Sequence, residues 1–153
     1  MTKATNYLAE HAIPHQLFRH VSRPASIEQA ANERDQQPDQ IVRSILFRLP
    51  EDQYVMVLMP GPKQISWKKL RSFLGTRRIT LATPEEVLRV TGYQIGAVSP
   101  FGINSVIRIL VDESLQIQPE ISLGSGEHGL AVIMTSQNLL RALPSAELVK
   151  VSE

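Results

Sequence analysis

The chain has no cysteine. That excludes a disulfide framework, a thiol nucleophile and a thiolate metal site. It has no apolar run near the roughly 20 residues of a membrane-spanning helix, and its first residues, Met-Thr-Lys-Ala-Thr-Asn-Tyr, lack the apolar core of a secretory signal. These absences predict a cytoplasmic protein with no membrane partner. Several motifs are missing too: a phosphate loop ending in Gly-Lys-Ser/Thr, a dinucleotide fingerprint, and a Gly-x-Ser-x-Gly elbow. Four histidines, His11, His15, His20 and His128, form no metal-ligand pattern. His11 and His15 have i, i+4 spacing, but Pro14 breaks the helix that would align them. Neither a metal nor another cofactor is expected.

Neither sign of charge dominates, since 16 basic and 15 acidic residues leave a net charge of +1. The distribution is less even. No acid occurs between Gln53 and Pro84, whereas Lys63, Lys68, Lys69, Arg71, Arg77 and Arg78 all fall there. Such a stretch suits a phosphate backbone, and equally a solvated helix face.

With 153 residues, 42% of them hydrophobic, the chain reads as one domain over residues 1–153. Apolar periodicity and capping residues predict helices over residues 3–12, 27–34, 67–74, 84–91 and 137–143, the last capped by Ser136. Strands are predicted at 15–21, 42–49, 53–59, 78–81, 105–111, 120–123, 130–135 and 147–151, with 42–49 and 53–59 as a hairpin. Thr83-Pro84-Glu85-Glu86 combines a cap, a proline at the first helical position and a capping-box glutamate. Strands interleaved with helices point to an α/β chain of the α+β type, a single compact domain with one mixed, strongly curved sheet and helices around it.

The stretch 91–102, Thr-Gly-Tyr-Gln-Ile-Gly-Ala-Val-Ser-Pro-Phe-Gly, sets three glycines and a proline within twelve residues. Glycine permits close approach of a ligand to the main chain, and proline stiffens the loop. Arg43 stands alone in an apolar strand, beside Ile45 and Phe47 and opposite Val42, Ser44 and Leu46. Its fork suits phosphate or carboxylate oxygens, or it snorkels to water. Asp112 closes a strand and reads by default as a turn cap.

Together these motifs resemble the YbaK/ProX-type aminoacyl-tRNA deacylases, relatives of the editing domain inserted in bacterial prolyl-tRNA synthetases. The matching residues are Thr91-Gly92-Tyr93 with the Gly-x-x-x-Pro loop from Gly96 to Pro100, then Val111-Asp112-Glu113-Ser114-Leu115, then the turn at 124–130. The likeness runs over roughly residues 10–150. It implies a barrel-like mixed sheet and hydrolysis of the ester that joins a wrong, small amino acid to the 3′ end of tRNA. It places Arg43, Gly96, Ser99 and Pro100 in the catalytic centre. Ala97, Val98, Phe101, Gly102, Asp112, Gly126 and His128 would lie against the substrate. Lys63, Lys68, Lys69, Arg71, Arg77 and Arg78 would meet tRNA, and a synthetase is a second candidate partner.

The chain departs from the family pattern in places. Arg43 stands where the family has a lysine. The glycine turn reads Glu127-His128-Gly129, followed by Ala131, where cysteine-specific members carry Lys-Arg-Gly and a later polar residue. Phe18 aligns with a tyrosine of those members. Three readings therefore stand: a deacylase acting in trans, a non-catalytic relative that binds aminoacyl-tRNA, nucleotide or a protein, and a small-molecule binder unrelated to tRNA.

Overall fold

A computed structural model describes residues 2–153. The chain runs α1 (Lys3–Glu10), β1 (Gln16–Arg19), α2 (Ile27–Glu33), β2 (Val42–Leu49), β3 (Gln53–Pro60), α3 (Trp67–Leu74), β4 (Thr80–Leu81), α4 (Pro84–Thr91), β5 (Arg108–Asp112), β6 (Glu120–Gly124), β7 (Leu130–Thr135), α5 (Ser136–Ala142) and β8 (Glu147–Val149). Short 3₁₀ turns precede β2, join β2 to β3 and follow β5.

Local chemistry explains most boundaries. Ser66 caps α3 by accepting the Lys69 N–H at 3.2 Å, and α3 stops at Gly75 in the left-handed conformation. Thr83 and Glu86 close the expected capping box on α4, which stops at Gly92. The cap of α5 is Thr135 rather than Ser136, because the Thr135 hydroxyl accepts the Asn138 N–H at 3.0 Å. The fifth strand begins later than the apolar run suggests. Ser105 and Asn104 donate to Val90 and Thr91, which pins that stretch to the end of α4 and leaves Val106 fully exposed.

The strands form two sheets. Five make a mixed sheet in the order β4-β2-β3-β5-β8, with β2–β3 antiparallel and β3–β5–β8 parallel. Three make an antiparallel sheet in the order β1-β7-β6. A single parallel bridge, Ile41 to Ser122, links them. The one barrel-like sheet expected from the resemblance is therefore corrected to two sheets with no closed barrel.

Both faces of the large sheet are covered. Val42, Leu46, Met56, Leu58 and Val111 pack toward α1, α4, α5 and the small sheet. Phe47, Val55, Val57, Met59 and Leu110 pack toward Leu70 of α3 and Val149 and Val151 of the C-terminal strand. β3, buried on both faces, reads as the unbroken run Val-Met-Val-Leu-Met. Each such side chain contributes roughly 1.5–3 kcal/mol. This packing fixes β2, and with it one wall of the site.

Candidate functional site

β2 is paired along its whole length on the β3 side only. On its other edge β4 pairs with just Phe47 and Arg48, and the small sheet is bridged only at Ile41, the residue before β2. A cavity of about 520 Å³ opens along this free edge. The Leu46 carbonyl faces that edge and accepts the Ala82 N–H at 3.0 Å. Main-chain direction alternates along a strand, so Ser44 presents its N–H and C=O to the same side. The Ser44 hydroxyl is buried and has no partner.

The opposite wall is the loop 91–102, held rigidly. Gly96 adopts φ +91°, in the region that favours glycine. The Ala97 N–H bonds the Gln94 carbonyl at 3.0 Å, and the Ala97 carbonyl accepts from Gly126 at 2.9 Å. β6 comes so close to the loop that a Cβ on Gly124 would sit 2.2 Å from the Val98 carbonyl oxygen. Gly96 and Val98 line the cavity, and among the described residues neither donates its N–H to another backbone group. Leu81 and Ile95, both about half exposed, give the cavity an apolar rim.

The rest of the loop turns inward. Ser99 is fully buried, with its hydroxyl accepting the Phe101 N–H at 3.2 Å. Pro100 is buried, Ala97 packs in the interior, and Phe101 sits in the core stacked on Tyr7. Gly102 lies against the backbone of Lys3. Ser99 and Pro100 therefore lie behind the wall and are not among the residues that line the cavity. Gly126 packs on the Tyr93 ring. His128 lies beside Gly96 with Nε2 3.4 Å from Gln94 and a buried, unpartnered Nδ1.

Tyr93 donates its hydroxyl to the Phe101 carbonyl across the base of the loop. Burial pushes its pKa up to about 12. In the unfolded chain a tyrosine ionises near 10, so between these values the folded state holds a proton that the unfolded state has released. The contribution of Tyr93 to stability is complete below pH 10 and is lost as pH rises toward 12. The absorbance difference between wild type and Tyr93→Phe should show one phenol that ionises only near pH 12; ionisation near 10 in the native protein would contradict this.

Asp112 is placed elsewhere. Its carboxylate is fully buried and accepts the N–H groups of Val151 and Ser152, both at 3.1 Å, together with the Ser114 N–H and hydroxyl. It ties the C-terminal strand to the end of β5 and does not line the cavity.

Arg43 leaves β2 on the α3 side, shared with Ile45 and Phe47, and borders the cavity. Its Nη2 donates to the Lys63 carbonyl, and its Nε is buried without a partner. Burial pulls its pKa below the ordinary arginine value, but the guanidinium stays charged. Of the basic stretch, Lys63, Lys68, Lys69, Arg77 and Arg78 are exposed and Arg71 is half-buried. Among the described residues none of the six forms a salt bridge, and the Lys69 ammonium donates to the Ser152 carbonyl at 2.8 Å.

The cavity has lining residues that the sequence did not single out. His20 is buried, with Nδ1 2.6 Å from the Glu33 carboxylate and Nε2 accepting from Arg34 Nε at 3.0 Å. Arg34 Nη1 reaches the Ser122 hydroxyl at 2.9 Å, and that hydroxyl donates to Gln36 at 2.7 Å. The hydrogen bond from His20 is the main cause that lowers the Glu33 pKa, and burial lowers that of Arg34. Arg23 and Glu127 stand at the cavity as well, Glu127 paired with Arg19 at 2.6 Å. Nothing in the spacing of these residues marks them as a group, because residues 20, 34 and 122 meet only in the fold.

A proline–tRNA ligase of Thermosipho melanesiensis is 31% identical over 105 residues, 69% of this chain and 18% of the ligase. One from Kosmotoga olearia is 35% identical over 92 residues, 60% of this chain and 16% of the ligase. The chain thus spans less than a fifth of the length of these curated relatives. Among solved structures, a protein named as a candidate trans-editing enzyme for prolyl tRNA synthetase superposes with a TM-score of 0.87 at 26% identity, over 99% of this chain and 95% of that one. The hypothetical protein APE2540 shares the fold, with a TM-score of 0.90 at 21% identity over 99% of this chain and 100% of that one. The model for the aminoacyl-tRNA editing domain matches residues 23–142, and the chain belongs to that family.

Proposed function

We propose that the protein hydrolyses, in trans, the ester between a small mischarged amino acid and the 3′ end of a tRNA. The observation that carries this reading is the cavity itself, with unspent N–H groups of Gly96 and Val98 on one side and Arg43 on the other. Attack of water on the ester carbonyl builds negative charge on the carbonyl oxygen. Fixed main-chain donors and a nearby guanidinium stabilise that charge without reorganising. The Ser44 hydroxyl at the cavity has no base bonded to it among the described residues, so water takes the role of nucleophile, and its proton passes to the departing terminal ribose oxygen. The apolar rim of Leu81 and Ile95 suits a short aliphatic side chain, and the exposed cations Lys63, Lys68, Lys69, Arg77 and Arg78, with Arg71, suit the tRNA phosphates.

A second reading, binding without hydrolysis, draws on the engagement of Arg43 with Lys63. Incubation with tRNAs carrying alanine, serine or cysteine separates the two. Ester loss faster than in buffer is expected for at least one pair; no acceleration for any pair at high protein concentration leaves only the binding reading.

A further inference from the structure

The cavity is more cationic than ester hydrolysis alone requires. Arg23, Arg34 and Arg43 all line it, while its one carboxylate, Glu127, is already paired with Arg19. An aminoacyl ester carries a cationic amino group, which gains nothing from three guanidiniums. The anion of the same substrate is the phosphate on the 5′ side of its terminal adenosine.

Arg34 is built for such a ligand. Two of its nitrogens are fixed, Nε by the lone pair of His20 and Nη1 by Ser122. His20 is oriented in turn by Glu33, and Ser122 by Gln36. This leaves Nη2 without a partner among the described residues, on a side chain that borders the cavity and is held rather than free to wander. Pre-organised guanidinium donors bind phosphate oxygens strongly because little rotamer entropy remains to be lost. Arg23 supplies the second cation. It is exposed, makes no hydrogen bond or salt bridge among the described residues, and lies over Gly96, where an added Cβ would come within 2.5 Å of its Nη2.

We propose that Arg34 and Arg23 form a phosphate subsite for the terminal nucleotide, separate from Arg43 and the ester, with His20 and Ser122 as positioning residues. The proposal rests on the deacylase reading for its choice of ligand, but its test uses no ester. Calorimetric titration of the full chain with 5′-AMP, adenosine and inorganic phosphate reads the subsite directly. 5′-AMP is expected to bind at least about tenfold more tightly than adenosine, the scale of a charge-assisted hydrogen bond, and more tightly than inorganic phosphate.

In Arg34→Gln the preference for 5′-AMP over adenosine should fall to near one, and in Arg23→Gln by about threefold. Arg23 has no hydrogen-bond or salt-bridge partner among the described residues, so its variant keeps the test valid even if Arg34→Gln fails to fold. Equal binding of 5′-AMP and adenosine would overturn the proposal, as would a preference unchanged in Arg23→Gln and in any folded Arg34→Gln. Inorganic phosphate binding as tightly as 5′-AMP would overturn the nucleotide assignment. A protein that shows the 5′-AMP preference yet hydrolyses no ester keeps the subsite and loses only the deacylase reading; active hydrolysis with no 5′-AMP preference does the reverse.

Discussion

Arg43→Ala is expected to lower kcat/KM for ester hydrolysis by about 10²–10³-fold, the effect of removing one donor aimed at a developing oxyanion. Arg43 borders the cavity, and its buried Nε has no acceptor among the described residues, so the chain carries an unsatisfied donor beside the proposed site. A substrate oxygen there would satisfy it. Arg43→Lys should recover part of the loss and fall about tenfold short of wild type, because a point ammonium cannot hold the Lys63 carbonyl and a substrate oxygen through a planar fork. Single-turnover rates on one mischarged tRNA measure both. Unchanged rates in Arg43→Ala would remove Arg43 from the mechanism, and a gain of activity in Arg43→Lys from an inert wild type would favour binding without hydrolysis.

The second large effect is on stability. In Asp112→Ala the N–H groups of Val151 and Ser152 lose their acceptor in a fully buried position. Each unpaired buried donor costs about 1–3 kcal/mol, so the two together should cost the variant about 2–6 kcal/mol, a large part of the stability of an ordinary domain. For a chain of this size that corresponds to a drop in Tm on the order of 10 °C. Asp112→Asn keeps one acceptor oxygen and should lose about half as much. Because the carboxylate does not border the cavity, the folded fraction of Asp112→Ala should keep kcat/KM within about threefold at low temperature. Lost activity with an unchanged Tm would return Asp112 to the substrate.

Where the sequence could be read, the reason is local chemistry. The start of α3 at Ser66, the capping box of α4 and the stops at Gly75 and Gly92 are each written within a few residues. The loop 91–102 is recognisable for the same reason, as its glycines and proline constrain it directly. Which of its side chains face outward is a different matter. Ser99 turns its hydroxyl inward to Phe101, and Tyr93 reaches across to the Phe101 carbonyl, so Ile95, Gly96 and Val98 are left to the cavity.

Long-range pairing set what could not be read. A capping aspartate at the end of β5 meets its main partners nearly 40 residues later, at the C-terminal strand. The two sheets meet at the bridge from Ile41 to Ser122. Beside it, Arg34 comes from the end of α2 to the hydroxyl of Ser122. Both contacts join residues far apart in the chain, so neither is written in a local motif.

The central claim is that this cavity cleaves an aminoacyl ester. The most direct test is the first-order rate of ester loss from a tRNA carrying alanine, serine or cysteine, with the protein in excess and with buffer alone. At least about a hundredfold acceleration for one of these residues is expected, the scale that fixed oxyanion donors supply, with little acceleration when the same tRNA carries its own amino acid. Rates equal to buffer for all three would contradict the account.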